Sequence, residues 1–305
     1  MTYQEFKQNT IHAIQTKLGP NARVFLQDVV KNNDLHLDGL TILSEQCNIS
    51  PTIYLNYYYN QYLHGMSLSA IYEDILLRYK CHTPKTSVDI RFFTDFQKVR
   101  GNIIFKLINY EQNKSLLQDV PHFRYLDLAI VFNCLIHVGP NNYGTILIYR
   151  NHLDFWHVTV DDLYALALEN TPHLLGYDLQ NMAHVIENIL SDDSSTDYNC
   201  ISTDLDDIDD NLIPMYVLST KTKFNGAVCL LYPNLLADIA TKHNCDLYII
   251  PSSIHEVLLI PSNTSTSYAK LSNMVREVNA TQVLKEEVLS DHVYYYSKAT
   301  GKLSM

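Results

Sequence analysis

Gly226–Pro261, GAVCLLYPNLLADIATKHNCDLYIIPSSIHEVLLIP, is the stretch whose pattern decides the fold. It reads as strand, helix, strand, turn and strand. Ala227–Tyr232 is an apolar run of strand length. Pro233 suits the first position of a helix, where its missing N–H costs nothing. Leu235, Leu236, Ile239 and Ala240 then make one apolar stripe, with Lys242 and His243 near the negative C-terminal end. Asn244 tolerates the left-handed stop. Asp246–Ile250 and His255–Ile260 follow as strands around the turn Pro251-Ser252-Ser253. The unbroken apolar run Val257–Ile260 predicts a strand covered on both faces, and so a central one.

Other segments add similar units. Thr2 with Glu5 forms a capping box for a helix that Gly19-Pro20 ends. Arg23–Val30 and Leu35–Ile42 read as a hairpin around Lys31-Asn32-Asn33-Asp34, with a bulge expected at Gly39, where the apolar phase changes. Ser67 caps a helix to Tyr79, and Val88–Arg100 is compatible with a helix. Ile103–Asn109, Leu126–Val138 and Thr145–Tyr149 read as strands. Thr159 with Asp162 opens a helix expected to stop before Pro172, and Asp178–Leu190 has helical spacing. A strand at Met215–Thr220, a helix near Ser267–Asn279 and a strand at His292–Tyr296 complete the pattern. The expectation is an α+β fold of mixed or antiparallel sheets built from helix-plus-hairpin units, with helices packed mainly on one face.

Charge divides the chain. Eight aspartates and no Lys or Arg lie between Ser191 and Asn211; without them the formal charge of −11 becomes −3. Residues 1–190 therefore read as an N-terminal α+β region with a sub-boundary near 84, residues 191–211 as an acidic linker or loop, and residues 212–305 as a β-β-α-β-β-α-β region. DLDDIDD lacks the glycine of a calcium loop, and Ile208 falls where a ligand is needed. No basic stripe suggests duplex nucleic acid as a partner. No apolar run approaches a membrane span, and the N-terminal residues do not read as a secretory signal. Six cysteines without CxxC pairs fit reduced thiols in a cytoplasm.

The blocks AVCLLYPNLLADIA…DLYIIPSSIHEVLLIP, KNNDLHLDGLTI…NISPTIYLNYYYNQY and MVREVNATQVLKEEVLSDHVYYY resemble domain-of-unknown-function family 5688 of Firmicutes, mostly gut clostridia. The resemblance covers nearly the whole chain. It implies a cytoplasmic bacterial protein with a single architecture, and no reaction, ligand or catalytic residue comes with it.

Candidate chemistry is sparse. Ser252, Ser253, His255 and Glu256 are the candidates for a hydrolytic group, because serine, histidine and carboxylate meet at a turn ahead of a central strand. No GxSxG elbow accompanies them, and neighbours along a strand face opposite ways. Turn hydroxyls bonded to backbone are the plainer account. The chain carries 22 tyrosines against 10 phenylalanines. Those at Tyr54, Tyr57, Tyr58 and Tyr62, with the Asn33-Asp34 turn, are the candidates for a binding groove. No HExxH, paired CxxC or glycine-rich phosphate loop points to a metal or cofactor. The function expected is a cytoplasmic bacterial non-catalytic protein-binding or adaptor protein. The alternative is a hydrolase with its site near Ser252–Glu256.

Overall fold

The protein is described by a computed structural model over residues 1–44, 50–83, 90–139, 142–185, 214–251, 253–264 and 267–305. The acidic segment 191–211, the sub-boundary near 84, and Ser252, Cys47 and Cys200 lie outside these residues. The chain divides into two compact units, Met1–Val99 with Leu135–Thr145, and Arg100–Cys134 with Ile146–Met305. Helices and antiparallel sheets combine as an α+β fold.

In the first unit, helix Tyr3–Leu18 starts at the Thr2/Glu5 capping box. It lies beside a three-stranded antiparallel sheet of β1 (Ala22–Lys31), β2 (Leu35–Ser44) and β3 (Thr52–Tyr54). Asn33 and Asp34 take left-handed conformations (φ 63° and 54°), which short polar side chains tolerate, and so turn β1 into β2. The register between the strands runs without interruption from Ala22↔Ser44 to Lys31↔Leu35, so the expected bulge at Gly39 is absent. Gly39 answers a different need. A Cβ there would sit 2.5 Å from Thr52 Cγ2 and 2.8 Å from Val29 Cγ2. The glycine lets branched side chains from both neighbouring strands close over it. Helices Leu55–Leu63 and Leu68–His82, the latter capped by Ser67, complete a core of Phe6, Ile14, Leu40, Ile42, Leu55, Ile71 and Ile75.

β4 (Ile103–Asn109) and β5 (His122–Tyr125), both in the second unit, flank β6 (Leu128–Gly139) antiparallel. β7 (Asn142–Leu147) also pairs with β6, and the division into units falls within β6 and β7, after Cys134 and after Thr145. Helix Val160–Leu175 packs on β4. It opens at Thr159/Asp162 as expected, yet it runs through Pro172 rather than stopping before it. Proline removes one N–H from the helix ladder, and bonds from elsewhere brace the turn. The Thr171 hydroxyl donates to Ala167 O (2.5 Å) and accepts the Phe105 N–H (3.0 Å), while the Tyr232 hydroxyl donates to Gly176 O (3.0 Å).

The six-stranded sheet has the order β13-β12-β10-β11-β9-β8, all antiparallel. Its members are β8 (Asp178–Asn181), β9 (Tyr216–Ser219), β10 (Leu247–Ile250), β11 (Val257–Pro261), β12 (Tyr294–Ser297) and β13 (Lys302–Ser304). As expected, β11 is internal, with Val257, Leu259 and Ile260 fully buried. Helix Tyr268–Thr281, capped by Ser267, covers it with Leu271 and Val275.

Further local expectations change. Asp178–Asn181 is a strand rather than the start of a helix, because pairing with β9 overrides local spacing. Gly226–Leu231 is a 3₁₀ helix rather than a strand. Gly226–Leu230 are all buried, and a short run of that kind has no period that separates helix from strand. Pro233 precedes helix Leu235–Lys242, whose N-cap is a left-handed Asn234. Ile90–Thr94 is 3₁₀, followed by a short helix Phe96–Val99.

Candidate functional site

The tyrosine run folds into two faces. Tyr54, Tyr57, Tyr58 and Gln61 follow the i, i+3, i+4, i+7 spacing of one helical face, and all four line a cleft of about 350 Å³. Ile53 of β3 forms part of its wall, and Arg78 and His82 enter from helix Leu68–His82. Tyr62 lies on the other face, packed against Phe6 at 5.8 Å and stacked with Tyr59 at 6.1 Å. Asn33 and Asp34 do not line the cleft. The strand end beside them still contributes, since the Lys31 ammonium sits 4.4 Å over the Tyr54 ring.

The cleft is anchored by one chain of polar bonds. The Tyr58 hydroxyl donates to Asp74 Oδ2 at 2.5 Å, and Arg78 Nε donates to the same oxygen at 2.8 Å. Burial, then the bond to Asp74, pushes the Tyr58 phenol well up, so it remains a neutral donor. The bonds from Tyr58 and Arg78 hold the Asp74 carboxyl below its ordinary value. His82 uses Nδ1 on Arg78 O at 2.9 Å. The result is an aromatic floor with a guanidinium and an imidazole at its rim, with Asp74 already bonded to Tyr58 and Arg78.

The candidates at the Pro251 turn lie in the second unit. Ser253 Oγ accepts the His255 N–H at 3.0 Å and so caps the turn. The His255 ring accepts the Asn225 N–H through Nδ1 (3.4 Å) and places Nε2 3.6 Å from Glu287 Oε1. His255 O accepts from Ser219 Oγ at 2.7 Å. Gly226 fits beneath this knot: a Cβ there would lie 2.1 Å from both His255 O and Ser219 Oγ. Glu256 is exposed, next along the chain.

Against this geometry, comparison with known proteins adds one finding. A family model described as a family of unknown function (DUF5688) matches residues 3–298. The chain belongs to DUF5688. No curated protein and no solved structure matches it.

A polar cluster in the second unit of this DUF5688 protein carries residues the sequence did not single out. Asp127 accepts from Ser290 Oγ (2.6 Å), from His292 Nδ1 (3.0 Å) and from the Tyr294 hydroxyl. Ser290 and Tyr294 are fully buried. Burial, then the neighbouring carboxylate, pushes the Tyr294 phenol far up. Asp127 reaches this position from a two-residue turn between β5 and β6, in which Leu126 takes a left-handed φ of 57°. A bulky side chain in that region stores strain. In sequence the cluster shows only as an isolated aspartate and the serine, histidine and tyrosine of SDHVYYY. The spacing between its partners offered no signal.

Among the described residues no group of three His, Cys, Asp or Glu is placed to hold a metal, and no helix is long and apolar enough to cross a membrane. Burial pushes the thiols of Cys134 and Cys229 up to about 12, which makes them poor nucleophiles.

Proposed function

We propose that this DUF5688 protein is a cytoplasmic, non-catalytic binding protein that takes an extended, acidic segment of a partner protein into the tyrosine cleft. The observation that carries the reading is the pairing of that cleft with an edge strand. β3 pairs with β2 on one side, and its residues Thr52–Tyr54 form part of the cleft wall. An extended peptide laid along such an edge gains main-chain hydrogen bonds, and the adjoining pocket selects alternate side chains. Tyrosine suits this use because its ring gives contact area at low entropic cost. Arg78 and His82 at the rim, with Lys31 above Tyr54, favour a carboxylate on the incoming segment. Ser253 engaged at a backbone N–H favours binding over hydrolysis. The free thiols of Cys81, Cys229 and Cys245 fit a reducing compartment.

A phage-displayed library of random linear peptides, panned against the intact chain, tests the proposal. The expected result is enrichment of sequences that alternate apolar and other residues and carry an acidic one, with binding lost in Tyr57→Ala and Arg78→Gln. Enriched peptides that bind both variants as well as the parent, or no enrichment at all, would overturn it.

A further inference from the structure

A second concavity, of about 740 Å³, lies wholly within the other unit. Its walls are the turn from helix Val160–Leu175 into β8, Lys221 in the turn beyond β9, and helix Leu235–Lys242 with the residues just before it. Gly176, at φ 56°, ends the first helix. A Cβ on it would lie 3.0 Å from Lys221 Cδ and 3.2 Å from Lys221 Cε, so the lysine's alkyl chain rests directly on the glycine. The Lys221 N–H donates to Leu175 O at 3.1 Å, and the Tyr232 hydroxyl holds Gly176 O at 3.0 Å. The Lys221 side chain is therefore positioned by its own backbone and by the surface under it. Lys242 lines the same space from the last turn of its helix.

Charge around the cavity is not balanced. Lys223 pairs with Asp178 at 2.5 Å. Among the described residues, Lys221 and Lys242 have no carboxylate at ion-pair distance, and Asp238 is the other acid in the wall. Tyr177, 49% exposed, supplies an aromatic face.

We propose that this cavity binds a small organic phosphate. Two ammonium groups from separate elements suit a dianion. Lysine meets phosphate as a compact point charge, whereas a lone carboxylate is better matched by the planar fork of an arginine. The volume falls within the range of small-molecule sites. Asp238 can accept from hydroxyls of the organic part, and the Tyr177 ring can cover its body. The site is independent of the tyrosine cleft.

Calorimetric titration of the full chain at low salt with inorganic phosphate, phenyl phosphate and benzoate is the test. Phenyl phosphate is expected to bind at one site, more tightly than inorganic phosphate and about tenfold more tightly than benzoate. Lys221→Gln and Lys242→Gln should each weaken it about fivefold or more. Lys17→Gln, an equal change of net charge in the other unit, should leave it unchanged. Gly176→Ala, which displaces the Lys221 chain, should weaken it as well. Lys242 is exposed at a helix end, so its variant keeps the test informative if Gly176→Ala does not fold. No saturable heat with either phosphate, or a loss in Lys17→Gln equal to that in Lys221→Gln, would overturn the proposal.

Discussion

The buried hydroxyl of Tyr294 donates to the carboxylate of Asp127 across 167 positions of sequence. Ser290 and His292 bond to the same carboxylate, so the approach to β12 is fastened to the β5–β6 turn. Tyr294→Phe removes one charge-assisted bond and should cost about 1.5–3 kcal/mol. Asp127→Ala should cost more, because it leaves the Tyr294 and Ser290 hydroxyls buried without an acceptor. Urea midpoints at constant m-value measure both. An Asp127→Ala protein as stable as the parent would contradict the account.

Strain at Leu126 makes an opposite prediction. Asparagine tolerates left-handed backbone better than leucine, so Leu126→Asn should raise stability by about 0.5 kcal/mol. The same urea series reads it.

Two glycines should prove intolerant for reasons of space. Gly226→Ala drives a methyl into a backbone oxygen, which cannot swing away, so the variant should fail to accumulate as folded protein. Gly39→Ala meets the methyl ends of Thr52 and Val29 and should cost about 1–3 kcal/mol. Thr52→Ser, which deletes the nearer methyl, should restore part of that loss. Gly101→Ala, with nothing within 4 Å of the added atom, is the neutral control. Circular dichroism melts distinguish the three.

Acid should uncouple the Tyr58–Asp74 pair. The folded Asp74 carboxyl lies below its unfolded value. Its contribution is therefore fully present above the unfolded pKa, near 4, and is lost as pH falls towards the folded value. A double-mutant cycle of Tyr58→Phe with Asp74→Asn should give about 0.5–1 kcal/mol at neutral pH, modest because Asp74 is partly solvated. The coupling should shrink by about pH 3. A pH-independent coupling would refute it.

Thiol reactivity should follow burial. Native protein treated with iodoacetamide near pH 8 should be alkylated at exposed Cys81 and spared at Cys134 and Cys229, whose thiols stand at about 12. Peptide mass spectrometry locates the label.

What the sequence disclosed was short-range. The caps at Thr2, Ser67 and Thr159 were legible because each is a bond between residues three apart. The internal position of β11 was legible because two covered faces demand an unbroken apolar run. The β8 strand was not, since its partner lies beyond residues 182–215, and the apolar run before Pro233 suited a strand as well as a buried 3₁₀ helix. The candidate cleft was half legible. Tyr54, Tyr57 and Tyr58 share it, while Tyr62 parts from them once helical periodicity is applied. The Asp127 cluster stayed hidden because its bonds join positions more than 160 residues apart, which no local pattern can encode.

The pairing of β8 with β9 has a consequence for the stretch of sequence between them. Asn181 stands opposite Tyr216, and the Met182 N–H donates to Met215 O at 2.8 Å. The backbone thus leaves the sheet and rejoins it at one rung of the same ladder. Closing an excursion of this kind grows costlier only with the logarithm of its length. The register of β8 on β9 therefore depends on the rung itself and only weakly on how many residues lie between Met182 and Met215. Eight aspartates lie between Ser191 and Asn211, inside the stretch of sequence that this one rung closes.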